Sequence, residues 1–124
     1  MNAQSISVKV ATRYLAQQSS PQTNQYAFAY HITITNDGQE AAQLISRHWI
    51  ITDAYESVQE VQGEGVIGEQ PLIEPGGSYQ YTSGVVLKTE VGTMAGTYQM
   101  LSPSGIAFDA EIPVFLLATP NAVH

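Results

Sequence analysis

Hydrophobic and polar residues alternate along most of this chain, which is the pattern of half-buried β-strands. The clearest run is residues 26–35, where aromatic and aliphatic side chains share one face and small or polar ones the other. The same pattern predicts strands at residues 5–15, 42–52, 57–62, 78–88, 93–101 and 106–117. No window has the 3.6-residue period of an amphipathic helix. Six or seven short strands separated by turn residues indicate an antiparallel sandwich or a small barrel.

The third strand contains the only tryptophan and the least expected charge. Strict alternation places Ile45, Arg47, Trp49 and Ile51 on one face and the intervening residues, Leu44 among them, on the other. With Trp49 in the core, the guanidinium of Arg47 points to the core side and needs a carboxylate or carbonyl partners. Arg47 is therefore either a paired structural arginine or a contact for a ligand or partner.

Glycine, proline and polar clusters mark the connections between the predicted strands. Residues 17–25 form a polar loop, residues 36–38 (Asn-Asp-Gly) a turn of residues that tolerate left-handed backbone, and residues 63–77 a turn-rich segment. Pro113 is expected to interrupt strand pairing at a sheet edge. We expect one domain over residues 1–124, with an ordered core at about 5–117, a short polar amino terminus and a loose tail from Thr119.

Two local signals favour an immunoglobulin-like or fibronectin type III-like sandwich of about seven strands. The run Leu-Ile-Glu-Pro-Gly at residues 72–76, leading to Tyr79, resembles the turn that enters a fibronectin strand. The run Met-x-Gly-x-Tyr-x-Met at residues 94–100 resembles the immunoglobulin strand with the tyrosine corner, with Met100 in the place of a disulfide cysteine. Trp49, Tyr79 and Tyr98 are the predicted structural core.

Composition excludes several classes of function. Eleven acids against four bases give a net charge of −7, which disfavours nucleic acid and anionic membranes as partners. The absence of cysteine excludes disulfides and thiolate zinc sites. Neither a signal-peptide pattern nor an apolar run long enough for a membrane span occurs, so we expect a soluble, cytoplasmic protein.

One segment matches the G-x-G-x-x-G pattern of dinucleotide-binding proteins. It consists of Gly63, Glu64, Gly65, Val66, Ile67 and Gly68. The pattern binds pyrophosphate only where a helix follows, and Pro71 and Pro75 prevent a helix of useful length here. Residues 48–87 also contain six acids and no lysine or arginine, which opposes a phosphate. The segment is predicted to form tight turns and a candidate binding loop, with anion binding as the alternative.

Other chemistry has weaker support in the sequence. The spread acids fit no compact ligand run for Mg²⁺ or Ca²⁺, and His31 and His48 are expected in different sheets, so no metal site is predicted. No nucleophile motif is complete, and we predict neither catalysis nor a cofactor.

Several of these segments together resemble the ApaG family. They are residues 62–68, Pro71, Leu72, Pro75, Gly76, residues 81–84 and 92–98, preceded by Arg47, Trp49 and residues 51–53. The resemblance implies a fibronectin type III-like sandwich and a label connected with cobalt tolerance and magnesium efflux, in a role that is indirect. Similar domains form the last part of eukaryotic F-box proteins and of a polymerase-delta-interacting protein, where they resemble protein-binding modules.

The expectation is therefore a non-enzymatic module that binds an unidentified protein partner. The alternative is a nucleotide or pyrophosphate sensor that uses residues 63–68, and a divalent cation is a third possibility.

Overall fold

The computed structural model of the protein describes residues 5–120 and shows an all-β, immunoglobulin-like and fibronectin type III-like sandwich. Its eight strands are β1 (Ile6–Tyr14), β2 (Tyr26–Asn36), β3 (Ala42–Asp53), β4 (Val58–Glu64), β5 (Leu72–Ile73), β6 (Ser78–Leu87), β7 (Val91–Leu101) and β8 (Ala107–Ala118). The predicted fold class is confirmed. The two-residue β5 is the strand that the alternation could not show, because two residues establish no period.

The strands form two antiparallel sheets. The first has the order β1-β2-β6, and the second has the order β4-β3-β7-β8, with β5 paired to one end of β3. The side chains that point inward from both sheets form one hydrophobic core. Each sheet ends in two edge strands, β1 and β6 in the first and β4 and β8 in the second.

An aromatic cluster joins the two sheets at the centre of the core. Trp49 on β3 is 3% exposed, and its ring meets the rings of Tyr30, Tyr98 and Phe115 at centroid distances of 5.5, 6.3 and 5.8 Å. All three contacts are steeply tilted, which suits the quadrupoles of aromatic rings. The indole therefore ties β3 to β2, β7 and β8.

A bulge in β3 corrects one predicted face. The pairing with β7 passes from Leu44–Met100 directly to Ser46–Gln99, so Ile45 has no partner residue on β7. The extra residue reverses the alternation, and Leu44 is completely buried instead of lying opposite Trp49. Arg47 and Trp49 keep the inward orientation that the sequence predicts.

The turn after β2 also differs from its prediction. None of residues 36–38 has positive φ. Instead, the side chain of Asn36 takes the place of a backbone hydrogen-bond partner in this turn. Its Oδ1 accepts the Gly38 N–H at 2.9 Å. The amide Nδ2 donates to the carbonyls of Glu40 and Ile73 at 2.8 and 2.9 Å. Asn36 is fully buried and joins three segments of chain.

Two connections hold more structure than the sequence suggested. The polar loop before β2 contains the 3₁₀ turns Ala16–Gln18 and Pro21–Thr23. At the other end, Thr119 is buried and its N–H donates to the Glu90 carbonyl at 3.1 Å, so the expected loose tail does not begin there. The rest of that prediction, and the polar amino terminus, fall on residues 121–124 and 1–4, which lie outside the described chain.

Pro113 interrupts pairing on an edge strand as expected. Ile112 and Phe115 of β8 pair with Gly96 and Met94 of β7, so Pro113 and the residue after it have no partner there.

The tyrosine arrangement differs from the expected corner. Tyr98 is fully buried, but its hydroxyl bonds the hydroxyl of Tyr81 in the facing sheet rather than nearby backbone. Burial raises the pKa of both phenols above the ordinary value of 10.0. Tyr79, predicted as core, is only half buried near the start of β6 and packs against the core, whereas Tyr81, two residues further along the same face, is buried.

Candidate binding site at the 63–69 hairpin

The G-x-G-x-x-G segment forms the end of a strand and a tight turn. Gly63 and Glu64 complete β4, and a two-residue turn follows, in which Val66 N–H donates to the Glu69 carbonyl at 2.8 Å and Glu69 N–H returns a bond to Val66 at 3.0 Å. The central residues, Ile67 and Gly68, both have positive φ, +48° and +75°. This is the backbone of a type I′ turn. We call residues 63–69 the 63–69 hairpin.

The bulge in β3 is what holds this hairpin in place. The Ile45 carbonyl, which lies outside the β7 register, accepts the Gly65 N–H and the Gln70 side-chain amide, both at 2.8 Å. Two otherwise separate segments therefore share one acceptor. On the other side, the Tyr79 hydroxyl donates to Glu69 Oε1 at 3.0 Å. Burial, and then this bond and the carboxylate charge, raise the Tyr79 pKa.

Arg47 supports the hairpin from beneath. Its Nη1 donates to the carbonyls of Glu64 and Gly65 at 3.1 and 2.8 Å. The guanidinium also lies against Gly63, where an added Cβ would come within 2.9 Å of three guanidinium atoms. Arg47 is thus a structural arginine at this point, and the glycine at position 63 makes room for it.

The two later glycines differ in how much space surrounds them. A Cβ at Gly65 would lie 2.2 Å from the Glu69 carbonyl oxygen, so the hairpin closes only over a glycine. A Cβ at Gly68 would meet nothing within 4 Å. Gly65 is needed for packing, and Gly68 only for its backbone conformation.

Ile67 is the unusual residue of the hairpin. A β-branched side chain rarely occupies positive φ, and the left-handed region costs about 1–2 kcal/mol. The Ile67 side chain nevertheless projects from the tip with 61% of its surface exposed, beside Val66, which is 1% exposed. The strain places an apolar side chain in solvent and gains no core contact in return.

The hairpin has no dinucleotide-binding geometry. The pyrophosphate device needs a helix whose first N–H groups face the ligand, and here a β-turn follows β4. Three acids surround the turn in sequence, Glu64, Glu69 and Glu74, and all three are exposed.

His31 and His48 lie on separate sheets and each has local partners. His48 Nε2 is 2.8 Å from Glu60 Oε1, and His31 contacts Thr82 and Gln80 at 2.7 and 3.0 Å. Within residues 5–120 there is no group of three or more His, Asp or Glu side chains placed to hold a metal ion. No helix in that same range is long and apolar enough to cross a membrane.

Sequence reasoning selected this hairpin but missed what distinguishes it. The alternation of hydrophobic and polar residues gives no sign of the Ile45 bulge. The sequence also does not distinguish Ile67 from the other five residues of the predicted binding loop. A signal was present in the dipeptide Ile67-Gly68, which occupies a position where two-residue hairpin turns strongly favour Asn-Gly.

The fold and the site define a β-sandwich with a braced hairpin at one corner, and comparison with known proteins places it in a family. A family model for the ApaG domain matches residues 16–102. The chain belongs to the ApaG family.

Its relatives match over nearly their whole length. A protein named ApaG from Pseudomonas aeruginosa (strain LESB58) is 61% identical over 119 residues, which cover 96% of this chain and 94% of the relative. One from Thiobacillus denitrificans is 59% identical with the same coverage. A crystal structure from Bordetella pertussis that carries the name ApaA protein has a TM-score of 0.93 at 52% identity, covering 97% of this chain and 98% of its own.

Proposed function

We propose that this protein is a non-enzymatic binding module that contacts another protein through the 63–69 hairpin. The observation that supports it most is the conformation of Ile67, an exposed β-branched residue at positive φ. Backbone strain of this kind persists where the surrounding structure enforces it, and it concentrates at functional positions. Ile67 destabilises the fold and fills no space in the core, so we infer that its function lies in the apolar side chain that it exposes to a partner.

The bracing of the hairpin favours recognition of a folded partner. Ile45 and Arg47 fix the hairpin backbone through three hydrogen bonds, and the Ile45 carbonyl also holds the Gln70 side chain, so little conformational entropy is lost when a partner docks. Ile67 then acts as a preformed anchor for an apolar pocket. The exposed carboxylates of Glu64 and Glu69 flank it, and the complementary pocket has a basic rim.

The proposed setting is the cytoplasm, and the proposed connection with cobalt tolerance and magnesium efflux, implied by the family resemblance, is indirect. In this proposal the chain acts on those processes through its partner. The carboxylates near the hairpin serve as the charged border of a protein contact.

Affinity purification of the full chain from its native cell tests the proposal. Wild type and Ile67→Asn are compared by quantitative mass spectrometry, with Val114→Asn as the matched control, since Val114 is 70% exposed on β8. Loss of a buried apolar anchor costs about 2 kcal/mol, so we expect at least one protein to be recovered about 10-fold or more less with Ile67→Asn.

The control should retain that protein at the wild-type level. Equal recovery of every co-purifying protein by wild type and Ile67→Asn would contradict the assignment of the contact to the hairpin.

A further inference from the structure

The four edge strands of the sandwich differ in how they are protected against pairing with another strand. Natural edges are usually blocked by charges, prolines, bulges or short length. On β1 the edge carries Lys9 and Arg13, and on β8 it carries Pro113 and a register shift. The seven-residue β4 contains Glu60 and Glu64.

Strand β6 has none of these protections. Its ten residues, Ser78–Leu87, include no charged residue and no proline, and they pair with β2 in an unbroken register. No strand pairs with its other edge within residues 5–120. The edge is long, regular and uncharged, with Val86 59% exposed. Such an edge is a template for strand addition.

A groove runs beside this edge, between β6 and β4, where the two sheets do not meet. Two adjoining cavities of about 300 and 120 Å³ form it, and both are bordered by Ile51, Gln59 and Val86. The larger one reaches the rims of Trp49 and Met94 in the core. An added strand would place alternate side chains over the apolar part of this floor, which Trp49, Ile51 and Met94 form.

The charge of the groove indicates what its occupant carries. Arg47 borders the larger cavity, and both of its hydrogen bonds within the described chain come from Nη1 to carbonyl oxygens. No ion pair joins Arg47 to a carboxylate anywhere in residues 5–120. A half-buried guanidinium is stabilised most by a carboxylate, which it binds in a planar, two-bond geometry.

We propose that the groove between β6 and β4 binds an extended peptide segment that adds to the β6 edge, with alternating apolar side chains and a carboxylate at the Arg47 end. From Arg47 to Asp53, which borders the far cavity, β3 advances six residues, roughly 20 Å at about 3.3 Å per residue. The bound segment is therefore about six residues long. This surface is separate from the tip of the 63–69 hairpin.

Titration of isotope-labelled full-length protein with two synthetic probes tests the proposal. The probes are Ac-Glu-Thr-Val-Thr-Val-Thr-NH2, in which Glu and both valines share one face, and its reverse-order counterpart, since the direction of the added strand is not fixed. For one of them we expect saturable amide shifts confined to residues 82–87 and 58–62, with slowed hydrogen exchange along β6. Replacing Glu by Gln in that probe should weaken binding about 10-fold, which tests Arg47 without altering the protein.

Val86→Lys places a charge on the free edge at an exposed position, so it should fold normally and abolish binding. Val114→Lys makes the same change on β8 and should bind like wild type. A wild-type affinity in Val86→Lys, an equal affinity for the Glu and Gln probes, or shifts absent at millimolar peptide or located elsewhere would overturn the proposal.

Concentration-dependent dimerisation through β6, seen by sedimentation of the protein alone, would also overturn it, since a second copy would then occupy the edge. Because the probe is a defined peptide, none of these results bears on the hairpin contact.

Discussion

Two turns of this protein both contain a residue with positive φ, but they use different types of residue at that position. In the 74–77 turn, the positive φ of +81° falls on Gly76 after Pro75, and Gly77 N–H closes the turn on the Glu74 carbonyl at 2.8 Å. This is the residue choice that a type II turn favours. In the 66–69 turn, the first positive φ falls on Ile67.

The supports of the two turns show why they differ. The backbone of Asn36 exchanges hydrogen bonds with Gly76 and Gly77 at 2.8 and 2.9 Å, so the 74–77 turn seals the end of the sandwich. The 66–69 turn is also held firmly, because Ile45 and Arg47 bind the neighbouring Gly65, but what this support positions is the exposed side chain of Ile67. The first turn follows local preference and serves the fold, whereas the second departs from local preference, and under the proposed function it serves recognition.

The largest expected effect breaks the support of the 66–69 turn. Gly65→Ala would place a Cβ 2.2 Å from the Glu69 carbonyl oxygen, and opening the hairpin to relieve this contact should cost about 3–4 kcal/mol of the free energy of unfolding. Gly68→Ala, with open space around it, should cost only about 1 kcal/mol. Urea unfolding measures both, and similar losses would show that Gly65 is not the packed position.

The next effect removes the side-chain bonds of Asn36, the residue whose backbone supports the 74–77 turn. Asn36→Ala removes three side-chain hydrogen bonds at a fully buried site and leaves the Glu40 and Ile73 carbonyls without them, so we expect a loss of about 3 kcal/mol. Ser7→Ala, which loses only an exposed bond to Asp37, should change stability by less than about 0.5 kcal/mol. A loss below 1 kcal/mol in Asn36→Ala would contradict the role given to this residue.

A smaller effect concerns the bonded hydroxyls of Tyr81 and Tyr98. They link β6, the strand after the 74–77 turn, to β7 in the other sheet. Tyr98→Phe leaves the buried Tyr81 hydroxyl without its partner and should cost about 1–2 kcal/mol. Burial raises the folded pKa of both phenols, so above pH 10 the unfolded chain loses these protons and the native protein keeps them. The free energy of unfolding that the two protonated phenols contribute below pH 10 is therefore lost as the pH rises.

Urea unfolding between pH 9 and 11 measures this decline, which should be shallower in Tyr98→Phe than in wild type. Tyr55→Phe, at an 84% exposed position, should keep the wild-type slope. An identical slope in Tyr98→Phe would contradict the contribution of the buried pair.

The sequence was sufficient for the sandwich because most strands bury one face and therefore alternate strictly. Phe28, Ile32 and Ile34 show this, since all three lie in the core as predicted. The same rule failed at Leu44, because one inserted residue, Ile45, puts the residues before it out of phase with those after it, and single-residue insertions leave no trace in composition.

The site was predictable only as a glycine-rich segment. The support of Arg47 joins residues 16 to 18 positions apart, and the Ile45 carbonyl accepts from residues 20 and 25 positions away. These bonds depend on the β3–β4 register rather than on any local motif. The strain at Ile67 is a backbone property that becomes visible only with the turn itself.

The most direct test of the account is the free energy of unfolding of Ile67→Asn, measured by urea denaturation beside Gly76→Ile. Asparagine suits the first position of a type I′ turn, so Ile67→Asn should be more stable than wild type by about 1 kcal/mol. Gly76→Ile should be less stable by about 1–2 kcal/mol, because it introduces the same strain into the other turn. An unchanged or lower stability of Ile67→Asn would contradict the claim that the hairpin gives up stability to present this side chain.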